Sequence, residues 1–98
     1  MNYPVIWLSE AEITFNQNLE YLKAEWPESV RFEFISRVEK TIKVISESPG
    51  LYPFYRKNDQ VRKCVLHQRI TLYFKVKNEK IYLITFWNSY RDPKKIKI

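Results

Sequence analysis

The chain has 98 residues, of which 45% are hydrophobic and 16% aromatic, and its formal net charge is +6. This length is too short for two hydrophobic cores, so we expect one domain over residues 1–98 with an aromatic-rich core. The one cysteine, Cys64, excludes an intramolecular disulfide and favours a reducing compartment, so we expect the cytoplasm. The sequence has neither a signal-peptide pattern nor an apolar run of membrane-spanning length, so no membrane association is expected.

Positive charge is concentrated in the second half of the chain. Residues 1–55 hold five Lys or Arg against eight Asp or Glu, whereas residues 56–98 hold twelve against three. This polarity favours an anionic partner, either a nucleic acid or an acidic protein segment, because a field of one sign concentrates the opposite charge. A surface that serves only solubility would have the same composition, so charge alone does not choose between these roles.

The first half of the chain predicts a strand followed by two helices. Residues 4–8 form a short β-rich run, and Ser9 with Glu12 has the spacing of a capping box that begins a helix. Apolar residues at spacings of three and four predict a helix to about Trp26 and a second helix after Pro27. Because the connection is so short, the helices should form an antiparallel hairpin. The inward stripes are Ala11, Phe15, Leu19, Leu22 and Trp26, then Val30, Phe34, Val38, Ile42 and Ile45.

The second half predicts three strands after a loop rich in Tyr and Pro at residues 51–58. Residues 61–67 have a mixed strand pattern, residues 70–76 alternate strictly, and residues 80–88 are almost wholly apolar, as in a central strand. Asn78-Glu79 makes a two-residue turn. The separation of helices from strands predicts an α+β fold: an N-terminal strand, an antiparallel helical hairpin, then a three-stranded antiparallel meander forming one sheet covered by the helices.

Four short sequence motifs follow one another along the chain. They are Ser48-Pro49-Gly50-Leu51-Tyr52-Pro53, Val61-Arg62-Lys63, Leu72-Tyr73-Phe74-Lys75-Val76 and the closing Phe86-Trp87-Asn88-Ser89-Tyr90-Arg91-Asp92-Pro93-Lys94-Lys95. Together with the preceding strand and helical hairpin, they resemble the RelE/ParE toxins of type II toxin-antitoxin systems, the plasmid stabilisation protein family. The resemblance covers nearly the whole chain, and the Arg-x-Pro after the last strand is its most specific piece. Each motif is weak by itself, and their order carries the weight.

The resemblance implies a small toxin that a cognate antitoxin keeps inactive in a hetero-oligomeric complex. RelE-like members cleave mRNA on the ribosome with basic residues and often a Tyr or His, whereas ParE-like members lack that set and poison DNA gyrase. The RelE pattern expects a tyrosine beyond the last-strand arginine, and residues 92–98 contain neither Tyr nor His. The sequence therefore favours a ParE-like inhibitor with no chemistry of its own. The alternative is a RelE-like, ribosome-dependent mRNA endonuclease.

The candidate site residues are mostly cationic. In a nuclease, Arg62, Arg69 and Arg91 would bind phosphate, while His67 or Tyr90 would transfer protons. A lone His is more often structural than catalytic, and Arg91 is equally suited to a salt bridge with a nearby carboxylate. Arg62 and Arg91 correspond to arginines that recur in the superfamily, and we expect neighbouring strand ends to bring them to one anion-binding rim. For a gyrase inhibitor, the predicted target-binding residues are Arg62, Arg69, Arg91, Lys94 and Lys95.

Other functions have weaker support in the sequence. One His and one Cys cannot form a typical zinc site and no Gly-rich phosphate loop is present, so no cofactor or metal is expected. A non-toxic nucleic-acid-binding module would need an exposed aromatic sheet face around Tyr73 and Phe74, and the strand alternation instead predicts that Phe74 is buried. Trp26 and Trp87 have core spacing, so we expect them in the core rather than in partner contacts.

Overall fold

The computed structural model describes residues 2–90, which form two helices against one face of a sheet. The helices are α1 (Ser9–Glu25) and α2 (Glu28–Glu47), and a short 3₁₀ helix follows at Pro49–Leu51. The strands are β1 (Val5–Trp7), β2 (Phe54–Arg56), β3 (Val61–His67), β4 (Ile70–Lys77) and β5 (Lys80–Asn88). These five strands lie side by side in the order β1-β5-β4-β3-β2. The predicted α+β fold is confirmed.

The sheet is mixed rather than purely antiparallel. Strands β3, β4 and β5 form the predicted meander, but β1 pairs with β5 in parallel, with Val5 opposite Ile81 and Trp7 opposite Leu83. Parallel neighbours need a crossover connection, and here the helical hairpin is part of it. Strand β2 lies within the segment predicted to be a loop, and it adds a short outer strand next to β3.

The helical hairpin runs along the sheet and back. Helix α1 starts beside β5, where the Leu8 N–H donates to the Leu83 carbonyl. The helix is followed by Trp26, whose ring lies 5.6 Å from that of His67. Helix α2 then returns to the N-terminal strand, where the Ser46 carbonyl accepts from the Tyr3 N–H. The antiparallel hairpin is therefore confirmed. The inward stripes predicted for both helices pack on one core with the sheet.

The predicted capping box at the start of α1 is wrong. Leu8 is the N-cap residue, and no side-chain hydrogen bond caps the helix. The Leu8 carbonyl accepts hydrogen bonds from the N–H groups of Ala11 and Glu12. Because Leu8 is also held to β5 by its own N–H, the helix begins one residue earlier than the Ser9 signature implied.

Helix α1 takes the place of a strand along the outer half of β5. Strand β1 covers β5 only as far as Leu83, which leaves the Phe86 backbone without a strand neighbour on that side. Instead, the Thr14 hydroxyl accepts from the Phe86 N–H at 2.9 Å, and the Asn18 side-chain amide donates to the Phe86 carbonyl at 2.8 Å. These side chains are buried, so they satisfy backbone groups that would otherwise be costly to bury.

Among residues 2–90, neither helix is apolar enough over a sufficient length to cross a membrane.

Candidate functional site

The sheet has two ends, and the predicted cations are divided between them. Strands β3 and β5 both run antiparallel to β4, so the start of β3 and the finish of β5 lie at opposite ends. Arg62 lies near the start of β3, about 16 Å along the strand from His67 at roughly 3.3 Å per residue. Arg62 is therefore at the other end of the sheet from Tyr90, and the shared rim of Arg62 and Arg91 stays a prediction. Arg91, the other predicted member of that rim, lies outside the described residues, as do Lys94 and Lys95.

The first of these ends, which we call the Arg62 end, is internally bonded. The Arg62 guanidinium donates to the Tyr52 carbonyl at 2.6 Å and lies 3.9 Å from the centre of the Phe54 ring. Tyr52 directly follows the 3₁₀ helix, where a helix end leaves carbonyls without internal partners. Arg62 thereby fastens the turn and β2 to β3, which is a structural role. A cavity of about 240 Å³ beside Arg62 is lined by Pro49, Gly50, Phe54, Gln60, Arg62 and Val76.

The opposite end, which we call the Arg69 end, groups the other predicted residues. It comprises His67 at the end of β3, Arg69 in the following turn and Tyr90 just after β5, with Tyr21 from α1 and Trp26 just after that helix. Arg69 lies in the turn between β3 and β4, and its guanidinium stacks 3.8 Å from the centre of the Tyr90 ring. The backbone supports this arrangement, because the Ser89 N–H donates to the Arg69 carbonyl. The structure thus brings three of the predicted site residues together.

His67 at this end is suited to remain neutral. Burial lowers the pKa of His67 below its usual value, and the nearby charges of Arg37 and Arg69 lower it further. Its Nδ1 accepts a long hydrogen bond of 3.5 Å from the Arg69 backbone N–H. A neutral imidazole that accepts at Nδ1 carries its proton on Nε2, so the remaining nitrogen is a donor and not a base.

Tyr21 of α1 and the adjoining Trp26 complete the Arg69 end, and the sequence did not mark Tyr21 as a site residue. The Tyr21 and Tyr90 rings meet at 5.6 Å with a tilt of 59°. Partial burial raises the pKa of Tyr21; Tyr90 raises it further, while Trp26 and Arg69 oppose the rise. The Trp26 indole N–H is close enough to Tyr21 to lower the pKa of the Tyr21 hydroxyl. That N–H is buried, and no acceptor lies in hydrogen-bonding geometry with it among the described residues.

A chain of buried amides positions Tyr90. The Asn88 amide donates to the Asn18 carbonyl oxygen at 3.1 Å, and the Asn88 side-chain oxygen accepts from the Tyr90 N–H at 3.0 Å. Asn18 is in turn bonded to the Phe86 carbonyl. A cavity of about 320 Å³ lies beside this chain, and it is lined by Gln17, Asn18, Tyr21, Phe86, Asn88 and Tyr90.

Arg37 of α2 also reaches the Arg69 end. One of its guanidinium nitrogens donates to the Leu66 carbonyl at 3.0 Å, just before His67. Arg37 was missed because helical spacing shows which residues share a helix face, but not which strand lies across from them. The side chains that meet at the Arg69 end are therefore cationic or aromatic, and most of them carry hydrogen-bond donors.

The sheet face opposite the helices, which we call the open face, carries aromatic residues that are largely buried by their neighbours. Val61, Tyr73, Ile84 and Trp87 form a second apolar cluster there. Tyr73 is 8% and Trp87 9% exposed, and the Tyr55 ring lies against Tyr73 at 4.7 Å. Phe74, on the helix side, is fully buried as predicted. Neither Tyr73 nor Trp87 offers the exposed stacking surface that a nucleic-acid-binding module would need.

Metal ligation has no support in the described part of the chain. Among residues 2–90, no group of three or more His, Cys, Asp or Glu side chains is arranged as metal ligands would be.

Comparison with known proteins places this architecture in a class. The fold is that of the RelE/ParE toxins. The chain is similar in structure to a chain of the chromosomal ParDE toxin-antitoxin system from P. aeruginosa, with a TM-score of 0.72, 11% identity, and coverage of 88% of this chain and 95% of that one. It is also similar to the conserved hypothetical protein HP0894 from Helicobacter pylori, with a TM-score of 0.58, 16% identity, and coverage of 91% and 97%. No family model matches the sequence, and no curated protein matches it.

Proposed function

We propose that this chain is the toxin of a type II toxin-antitoxin system and that it acts in the ParE-like way, by binding DNA gyrase and inhibiting it. A cognate antitoxin would neutralise it in a hetero-oligomeric complex. The similarity to a chain of a ParDE toxin-antitoxin system supports the class. The departure from the RelE pattern after Arg91 supports the ParE-like branch.

One observation carries the choice of binding over chemistry: the His67 nitrogen that could accept a proton already accepts a hydrogen bond within the chain. Arg62 is bonded to the Tyr52 carbonyl and the Phe54 ring at the far end of the sheet. At the Arg69 end, His67 already accepts a hydrogen bond at Nδ1, which directs its own proton to Nε2. Cleavage by a 2′-hydroxyl needs a base beside cations that stabilise the phosphorane-like charge. This arrangement favours a protein that acts by contact.

The proposed target-binding set differs from the predicted one in a single member. Arg69 stays in the set, because its stacked guanidinium keeps edge donors for a partner. Arg91, Lys94 and Lys95 stay as proposals, since Arg91 follows Tyr90 directly in the sequence and the two lysines come within five residues of it. Arg62 leaves the set, because its guanidinium already binds within the chain.

Gyrase inhibition can be tested directly with purified proteins. Supercoiling of relaxed plasmid by DNA gyrase should fall as the purified chain is added, and the fall should be weaker for Arg69→Gln. A matched control is Arg56→Gln, which removes the same charge from an exposed site at the Arg62 end. If the folded wild-type chain leaves supercoiling unchanged, the gyrase proposal is wrong.

A second candidate, the ribosome-dependent mRNA endonuclease, is favoured by the contact between His67, Arg69 and Tyr90. These residues offer a titratable ring, a cation and a phenol within one small region. Codon-positioned cleavage of mRNA on ribosomes should appear if this candidate is right, and both His67→Ala and Tyr90→Phe should reduce it. Toxicity that survives both substitutions with folding intact would favour the gyrase inhibitor.

A further inference from the structure

The Arg69 guanidinium rests on the ring of Tyr90, so its position depends on how that ring is held. Tyr90 is 62% exposed and follows the end of β5, where its backbone N–H is bonded to the Asn88 side-chain oxygen. An exposed tyrosine side chain has several staggered conformations open to it. The Tyr21 ring, 5.6 Å from that of Tyr90, belongs to α1, which is itself bonded to β5. Tyr21 is therefore a neighbour that can select one conformation of Tyr90.

The indole N–H of Trp26 is a second group that needs Tyr21. It is buried, and no acceptor lies in hydrogen-bonding geometry with it among residues 2–90. Buried donors in proteins are nearly always hydrogen-bonded, and each exception calls for an explanation. The Trp26 backbone N–H donates to the Leu22 carbonyl, which keeps the indole beside the last turns of α1. The Tyr21 hydroxyl lies close to the indole N–H, and its oxygen can accept a hydrogen bond after a small rotation of the side chain.

The electrostatics of the Tyr21 hydroxyl indicate the direction of each bond. Burial raises the pKa of Tyr21, and Trp26 lowers it, as a donor does when it bonds to the phenolate. Tyr90 raises the pKa of Tyr21 through its charge and through a hydrogen bond that favours the protonated hydroxyl. A phenol hydroxyl has one proton and two lone pairs, so it can accept from one neighbour and donate to another at the same time.

We propose that Tyr21 is a positioning residue whose hydroxyl links Trp26 to Tyr90. Its oxygen accepts from the Trp26 indole N–H, and its proton is donated to the Tyr90 hydroxyl oxygen. The link holds the Tyr90 ring against the Arg69 guanidinium, which lies 3.8 Å from the ring centre, and it thereby fixes where the remaining guanidinium donors lie. The consequence for the target rests on the proposed function, in which Arg69 contacts DNA gyrase.

The ring and the hydroxyl of Tyr21 make separable contributions. The ring contacts Tyr90 and lines the cavity of about 320 Å³ beside it, and a phenylalanine at this position keeps both roles. The hydroxyl alone offers an acceptor to the Trp26 N–H and a proton to Tyr90. Tyr21→Phe therefore removes the proposed link and leaves the aromatic packing in place.

The Trp26 indole signal reports the first bond of the link. The chain has three tryptophans, so its ¹⁵N-correlated NMR spectrum should show three indole signals, and Trp26→Phe identifies the relevant one. In Tyr21→Phe the Trp26 signal should move upfield, because its proton loses a hydrogen bond, while those of Trp7 and Trp87 stay in place. The matched control is Tyr82→Phe, which removes a hydroxyl from β5 near the opposite end of the sheet and should leave the Trp26 signal unchanged.

The Arg69 side chain reports the second bond. A guanidinium stacked on a ring is shielded by the ring current, so the Arg69 Nε–H signal should lie upfield of the usual arginine position, and Arg69→Gln identifies it by its absence. Tyr21→Phe should return this signal most of the way to the usual position, because the Tyr90 ring then adopts other conformations. Tyr90→Phe, which keeps the ring and removes the acceptor, should return it in the same way and leave the Trp26 indole signal in place.

A double-mutant cycle in the supercoiling assay tests whether Tyr21 acts through Arg69. In the wild-type background, Tyr21→Phe should weaken gyrase inhibition about fivefold, as residues that share one network are energetically coupled. In the Arg69→Gln background, the same substitution should change inhibition less than about twofold, because the group that it positions is absent. Tyr82→Phe should have no effect in either background.

Three results would overturn the proposal. They are a Trp26 indole signal that stays in place in Tyr21→Phe, an Arg69 signal that keeps its upfield position in that variant, and equal losses of inhibition from Tyr21→Phe with and without Arg69. The two NMR measurements need no gyrase. A chain whose spectra respond as described but that leaves supercoiling unchanged would therefore contradict the gyrase proposal and support the positioning role of Tyr21.

Discussion

The two ends of the sheet use the same residue type in different ways. At the Arg62 end, the guanidinium is bonded to a backbone carbonyl left by a helix terminus, and it stacks on the Phe54 ring. At the Arg69 end, the guanidinium has an aromatic neighbour, and its own donors have no carboxylate or carbonyl partner among residues 2–90. The comparison teaches that an arginine's role depends on whether unpaired backbone lies within its reach. The Arg62 end is bonded within the chain, whereas the Arg69 guanidinium keeps donors that residues 2–90 do not use.

The largest expected effect comes from Asn18, which holds the Arg69 end to the sheet. Asn18→Ala removes the donor to the Phe86 carbonyl and the acceptor of the Asn88 amide, leaving two buried groups unpaired. We expect the free energy of unfolding to fall by about 3 kcal/mol. Chemical denaturation of the purified variant measures this loss.

Asn16→Ala is the matched control for Asn18→Ala. Asn16 lies on the same helix, and its amide also donates to the carbonyl four residues earlier, but on the exposed side. Its replacement should change the free energy of unfolding by less than about 0.5 kcal/mol. Similar losses in the two variants would mean that the buried amide chain does not hold the Arg69 end.

The second prediction compares the two arginines directly. Arg62→Gln should lower the free energy of unfolding by about 2 kcal/mol, because it removes a charged hydrogen bond and a ring contact. Arg69→Gln should cost less than about 1 kcal/mol, because it removes only a ring contact.

The two substitutions should affect growth inhibition in the opposite order from the free energy of unfolding. At a temperature where both variants are fully folded, Arg62→Gln should keep its growth inhibition and Arg69→Gln should lose most of it. Growth assays beside circular dichroism on the same variants would check this. Loss of toxicity in well-folded Arg62→Gln would return Arg62 to the target-binding set.

Much of the fold was predictable because local patterns specify it. The alternating residues of β4 and the helical stripes mark the side chains that face the helix–sheet core, and a core-facing set of residues fixes both the element and its orientation. Strand β2 was not predicted, because all three of its residues are exposed and it forms an outer edge of the sheet. The parallel pairing of β1 with β5 was not predicted either, because the sequence of a short strand does not show which strand it pairs with.

The site was predictable only in part. His67, Arg69 and Tyr90 were selected by residue type and do meet, whereas the topology of the sheet places Arg62 at the other end from Tyr90. The first and third strands of a meander run in the same direction, so the start of one and the end of the other are far apart. A usable signal for the α1 side was present: Thr14, Asn18 and Tyr21 form a polar stripe at helical spacing beside the apolar one.

The third prediction uses the turns at the two ends. Asn78 and Glu79, which join β4 to β5 at the Arg62 end, both have positive φ, at 54° and 61°. This is the two-residue hairpin geometry that prefers glycine at its second position, so Glu79→Gly should raise the free energy of unfolding by about 1 kcal/mol. In the β3–β4 turn, Gln68 does not have positive φ, so Gln68→Gly should lower it by about 0.5 kcal/mol. Thermal unfolding of both variants measures the difference, and a gain at both turns would contradict it.

The smallest expected effect is a pH dependence that belongs to the Arg69 end alone, since His67 is the one histidine in the chain. Burial, with Arg37 and Arg69, lowers the pKa of His67 in the folded chain below the usual 6.5. The unfolded chain therefore binds this proton more readily, so stability should be lost as the pH falls through about 6.5 and should level off below the folded pKa. His67→Gln removes the titrating group, so its free energy of unfolding should fall less than that of wild type between about pH 7.5 and about pH 5.5. If the two proteins lose stability in parallel over this range, burial and the neighbouring arginines do not keep the His67 ring neutral.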